Sequence, residues 1–175
     1  AVQLPDDAFV SFGDSFTLKG FGPKPAGRKY ALKDAFSLLR ERDGGSYPSC
    51  CHVLSVATNL PPDRAVTAWT SLGDAKASVF LPVSNAALSF DEKFTADDKG
   101  DVVRTAFADT PACDVFHRLQ TLAAQAPKLY GAGVRDYWEA REDELIAAWQ
   151  KLLKAGNPRA MTDFTVREQA RALKD

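Results

Sequence analysis

Between residues 51 and 83, three short apolar runs are separated by two turn signatures, and this spacing constrains the fold more than any other feature. The runs are CHVLSVATNL (51–60), RAVTAWTSL (64–72) and ASVFLPV (77–83); LPPD (60–63) turns the chain after the first and GDAK (73–76) after the second. Three short strands with tight links predict an antiparallel meander.

On either side the period changes. Residues 31–42, ALKDAFSLLRER, place Leu32, Ala35, Phe36 and Leu39 on one helical face. Arg40 and Arg42 complement the dipole at its end, and Gly44-Gly45 stop it. A second helix is expected from Thr110-Pro111, with Thr as N-cap, Pro at the first helical position, and a buried stripe of Val115, Phe116, Leu119, Leu122 and Ala123. QAPKLYGAG (125–133) breaks it. The strongest pattern is 133–155, where Val134, Trp138, Leu145, Ile146, Trp149, Leu152 and Leu153 form an apolar stripe ended by Gly156-Asn157-Pro158. Its opposite face, with Arg135, Glu139, Glu142, Asp143 and Lys151, is expected to be solvated. A last helix spans about 164–173 by its Arg- and Glu-rich pattern.

Residues 7–18, DAFVSFGDSFTL, read as two strand segments joined by a bulge or turn, and 19–29 as a Gly/Pro/Lys-rich loop. Residues 84–108 show no clear period. The fold class is therefore α+β, antiparallel strands followed by helices. Residues 1–175 form a single domain or subunit: strands plus one helix in 1–83, an irregular stretch in 84–108, and a helical part in 109–175.

At 175 residues the chain can bury a core without staples. A net charge of −1 supplies no basic field for nucleic acid or an anionic membrane, and no apolar run approaches a membrane span. Neither partner is expected. Three cysteines, Cys50, Cys51 and Cys113, are too few for a disulfide framework and fit a reducing compartment such as the cytoplasm. With two histidines and no CxxC or HExxH, no metal and no cofactor is expected. The opening, AVQLPDDAFVSF, has no Met and no signal-peptide pattern, so a processed subunit or a truncated chain is expected.

The richest spot for chemistry is SYPSCCHVLS (46–55). Cys51 and His52 are neighbours and point to opposite faces of a strand; Cys50 and His52 share a face, about 7 Å apart by strand rise. A buried small thiol beside a polar histidine stands against a catalytic pair. Asp14, after Gly13 and among phenylalanines, either reaches solvent at a bulge or sits at a site with a shifted pKa. His117 reads as a surface or boundary residue.

The pattern W-x-x-x-G-x-x-x-x-S-V-F-x-P (Trp69, Gly73, Ser78, Val79, Phe80, Pro82) resembles a strand–turn–strand of the C69 dipeptidase and secernin family. Other pieces resemble that family in the same order: AVQLPDDAFVSFGDSFTL, ALKDAFSLLRERDGG, PSCCHVLSVATNLPP and YGAGVRDYWEAREDEL. The resemblance covers most of the chain. It implies an αββα sandwich of the N-terminal-nucleophile type, of which this chain is the C-terminal part. It also implies that Trp69 and Phe80 are core and that Pro82 ends an edge or terminal strand, since proline cannot donate to a ladder.

Two departures matter. The family's nucleophile is an N-terminal cysteine whose α-amino group is its base, whereas residue 1 here is Ala. Where the family strand has an Asn near the oxyanion, this chain has Asp14, and an ionised carboxylate cannot donate to an oxyanion. The resemblance thus implies a subunit or fragment of an amidohydrolase that carries no catalytic residue itself. Its partners would be the N-terminal, nucleophile-bearing half of the precursor and a dipeptide or small amide substrate. Asp14 is the first pocket candidate, with Cys51 and His52 as seconds. The rival is a non-catalytic family member that binds or scaffolds; a self-contained hydrolase using Cys51 and His52 is disfavoured by geometry.

Overall fold

The computed structural model describes residues 31–41, 50–95 and 111–175. Strands β1 (Cys50–Val56), β2 (Val66–Leu72) and β3 (Leu81–Ser84) form an antiparallel sheet in the order β1-β2-β3. The helices are α1 (Leu32–Arg40), α2 (Glu92–Thr95), α3 (Ala112–Gln125), α4 (Ala132–Ala155) and α5 (Pro158–Ala172). The class is α+β, a three-stranded antiparallel sheet followed by several helices, and the meander is present as the turn spacing predicts. Residues 7–18, Asp14 among them, and 19–29 lie outside the described residues, as does the 96–108 part of the stretch read as irregular.

Strand alternation sends Cys51, Val53 and Ser55 of β1 to the same face as their partners Ser71, Trp69 and Thr67 of β2. Helices α1 and α4 pack on this inner face. Phe36 of α1 stacks on Phe80 at 4.2 Å between centroids and tilts against Trp69 at 5.6 Å. Trp149 of α4 donates its Nε1–H to Thr67 Oγ1 at 3.0 Å, and Trp69 donates to Ser55 Oγ at 3.3 Å. Both indoles thus bury large apolar surfaces with their one polar atom satisfied.

The third strand starts later than its sequence suggests. Gly73 takes a left-handed φ of +72°, Asp74 accepts from Lys76 N, and residues 75–77 form one turn of 3-10 helix where a plain hairpin link was expected. A buried ion pair holds this segment. Arg40 of α1 donates Nε to Ala75 O and Nη2 to Ser78 O, and its Nη1 and Nη2 form a fork on Glu142 of α4 at 2.9 and 2.6 Å. Glu142 also accepts from Phe80 N at 2.9 Å. These contacts anchor the 75–80 segment between α1 and α4, and β3 begins at Leu81. Glu142 is fully buried, which corrects its placement on a solvated face; Arg40 is in the last turn of α1 as expected and is buried at 4% exposure. The 3.6-residue period itself puts Glu142 on the stripe, four residues after Trp138 and three before Leu145, and a carboxylate buried there needs a partner, which Arg40 supplies from another helix.

Pro82 is inside β3, opposite Trp69, and does not end the strand. Asn85 N donates to Val66 O, so antiparallel alternation makes Trp69–Pro82 a non-hydrogen-bonded pair. The missing N–H faces away from β2, and the Pro82 carbonyl on that side accepts from Thr165 Oγ1 of α5 at 2.9 Å. Among the described residues β3 is an edge strand, and a proline and a capped carbonyl blunt it.

Helix boundaries differ from the expected ones: α1 ends at Arg40, before Gly44-Gly45, and Pro111 is the N-cap of α3 and not its first residue. Asn157 accepts from Arg159 N and Ala160 N as N-cap, with Pro158 opening α5 six residues before the expected start. Gly156-Asn157-Pro158 both closes one helix and starts the next. α3 ends at Gln125 and Ala126 leaves the helical region, so the chain breaks within 125–133 as expected; 127–131 is a π-helical turn leading into α4. On α3 the buried residues are Ala112 and Phe116, while Leu122 of the expected stripe is 56% exposed.

Candidate site on the outer sheet face

The outer face alternates with the inner one. From β1 it carries Cys50, His52, Leu54 and Val56, opposite Leu72, Thr70, Ala68 and Val66 of β2. It closes toward β3, where Leu81 is buried, and it is open along β1, where Leu54 and Val56 are 66% and 51% exposed.

At the open side three polar side chains line up. Cys50 Sγ lies 3.1 Å from His52 Nε2, and His52 Nδ1 lies 3.2 Å from Thr70 Oγ1. Cys50 is a half-exposed free thiol and His52 is exposed. The separation of about 7 Å expected from strand rise is a backbone distance. Side chains on one face lean along the strand, and the length of an imidazole closes the gap. Thr70 is there because the β1–β2 hairpin is symmetric about residue 61, which sets it opposite His52. The turn read at 60–63 is centred half a residue later and would set His52 opposite Ser71, so Thr70 was not legible in the sequence.

Cys51 and His52 are not brought together. Cys51 is buried on the inner face opposite Ser71, and His52 is on the outer face. A self-contained Cys51–His52 site is therefore excluded by strand alternation. Asp14 lies outside the described residues. His117 is exposed on α3 and leans over the Gly73 turn, 3.3 Å from where a Cβ at Gly73 would sit. The nearby groove is lined by Asp114, His117, Arg118, Thr121, Leu122 and Gln125, all from one turn-by-turn face of α3. No second element brings a polar group to converge on it within that lining.

The strongest electrostatic feature is interior. Burial pushes the Glu142 carboxyl above the usual carboxylate range, and the hydrogen bonds from Arg40 and Phe80 N pull against that. Every charged atom of the pair has a partner, so it is a packing device linking α1, the 75–80 segment and α4. Among the described residues no group of three or more His, Cys, Asp or Glu side chains is placed to hold a metal ion. No described helix is long and apolar enough to cross a membrane.

Compared with known proteins, the chain matches no protein-family profile, no curated protein and no solved structure.

Proposed function

We propose that this chain is the helix-backed half of an αββα amidohydrolase of the N-terminal-nucleophile type, resembling the C69 dipeptidase and secernin family and acting on dipeptides or small amides. The observation that carries this reading is the asymmetry of the sheet. Its inner face is sealed by α1 and α4, whereas the outer face along β1 offers Leu54 and Val56 to a further layer. An αββα sandwich needs a sheet with helices behind it and apolar side chains in front, because the second sheet packs face to face on them.

In that assembly the chain supplies strands, outer helices and one wall of the substrate pocket. The attacking cysteine comes from another segment or chain, with its own α-amino group taking the proton. The test is amine release from a panel of dipeptides and small amides by the protein purified with its native companions. Hydrolysis that co-elutes with this chain, and is lost when Leu54→Asp places a charge on the apolar face, supports the reading. Ligand binding without turnover would leave the non-catalytic binding or scaffold role in its place.

A further inference from the structure

We propose that Cys50, with His52 and Thr70, is a thiol modification site that forms mixed disulfides with small disulfide-bearing molecules. The inference concerns this chain with its outer face uncovered: Cys50 and His52 share that face with Leu54 and Val56, and a second sheet packed there would close the site.

The geometry follows the logic of an activated thiol: a nucleophile, a base in hydrogen-bond reach, and a third group that orients the base. Cys50 Sγ and His52 Nε2 are 3.1 Å apart, and Thr70 Oγ1 is 3.2 Å from Nδ1. In the tautomer with its proton on Nδ1, His52 donates to Thr70 Oγ1, and the bare Nε2 is left to accept the thiol proton. Thr70 is fixed as part of β2, and its register opposite His52 is set by the hairpin. The outer-face neighbours on the described strands are Leu54, Leu72 and Leu81, with no charged side chain among them. The imidazole is thus the proton acceptor the thiol meets on this face.

The site is accessible to a soft electrophile. Cys50 opens β1, and its side chain and that of His52 reach solvent. Attack on a disulfide needs a thiolate and a clear line to sulfur, with no oxyanion donors, which is why this chemistry fits better than acyl transfer. The Cys50 proton passes to Nε2, and Sγ bonds to one sulfur of the disulfide. The S–S bond breaks, and the departing thiolate takes the proton from His52. One disulfide and one thiol enter, and one mixed disulfide and one thiol leave.

The test is labelling with the aromatic disulfide 5,5′-dithiobis(2-nitrobenzoate) under pseudo-first-order conditions. The released thiolate is followed by absorbance and the label is mapped by peptide mass. Cys50 is expected to label first among the three cysteines. His52→Ala is expected to slow it roughly tenfold at neutral pH, and Thr70→Val about threefold. Circular dichroism confirms that each surface variant is folded. Labelling confined to Cys51 or Cys113, an unlabelled Cys50, or a Cys50 rate that His52→Ala leaves unchanged at neutral pH would each overturn the proposal.

Discussion

The Arg40–Glu142 pair is the most informative place to perturb this fold, because its two halves fail differently. Glu142→Leu strands a guanidinium in the interior: Arg40 keeps Ala75 O and Ser78 O but loses both carboxylate contacts, and Phe80 N–H loses its acceptor. A guanidinium does not shed its proton, so the charge stays and the cost is about 3–5 kcal/mol at any pH. That is a large part of the roughly 5–15 kcal/mol available to a domain. At about 2 kcal/mol per molar urea, the midpoint falls by about 2 M. Arg40→Leu instead leaves a carboxyl that can neutralise. Burial already holds Glu142 above the usual range, and without Arg40 the main opposing hydrogen bonds are gone. Its folded pKa then lies above its unfolded one. The Arg40→Leu protein keeps its stability below the unfolded value and loses it as pH rises through the folded value. Urea titrations followed by fluorescence of the buried Trp69, Trp138 and Trp149 read both effects. The double variant should cost at least about 2 kcal/mol less than the two single costs together. A Glu142→Leu loss under about 1 kcal/mol, far below the cost of an unpaired buried charge, or a pH-flat Arg40→Leu protein, refutes the reasoning.

Three further substitutions test the packing that holds the sheet face in place. Gly156→Ala forces a side chain into φ +69° with the Arg64 guanidinium 2.6 Å from the new Cβ; a loss of about 1–2 kcal/mol is expected in the same titration. Asn157→Ala removes the acceptor for Arg159 N and Ala160 N and should cost about 1 kcal/mol, with early hydrogen exchange in the first turn of α5. Trp149→Phe leaves Thr67 Oγ1 without its donor and opens space in the core; thermal unfolding should register a loss of about 2 kcal/mol.

The sheet was legible because its signals are local: the turns at 60–63 and 73–76 and the apolar runs beside them suffice to place a meander. The helices were legible where a stripe is long, so Trp138, Leu145 and Trp149 are core as their spacing predicts. What escaped is non-local. Glu142 falls between Trp138 and Leu145 on the apolar stripe, but its partner Arg40 comes from another helix, and no local pattern pairs the two. Pro82 fits inside a strand because its pairing parity turns the missing donor outward, which depends on register. The Cys50–His52–Thr70 row escaped for a different reason: strand rise measures backbone spacing, and side-chain reach decides contact.

The central proposal is that this chain is the helix-backed half of a larger hydrolase. Intact mass of the protein from its native source, under non-denaturing and then denaturing conditions, tests it most directly. The account predicts a complex that separates into this chain and a companion polypeptide with an N-terminal cysteine, or a longer chain carrying that segment. A single 19.0 kDa species under both conditions would contradict it.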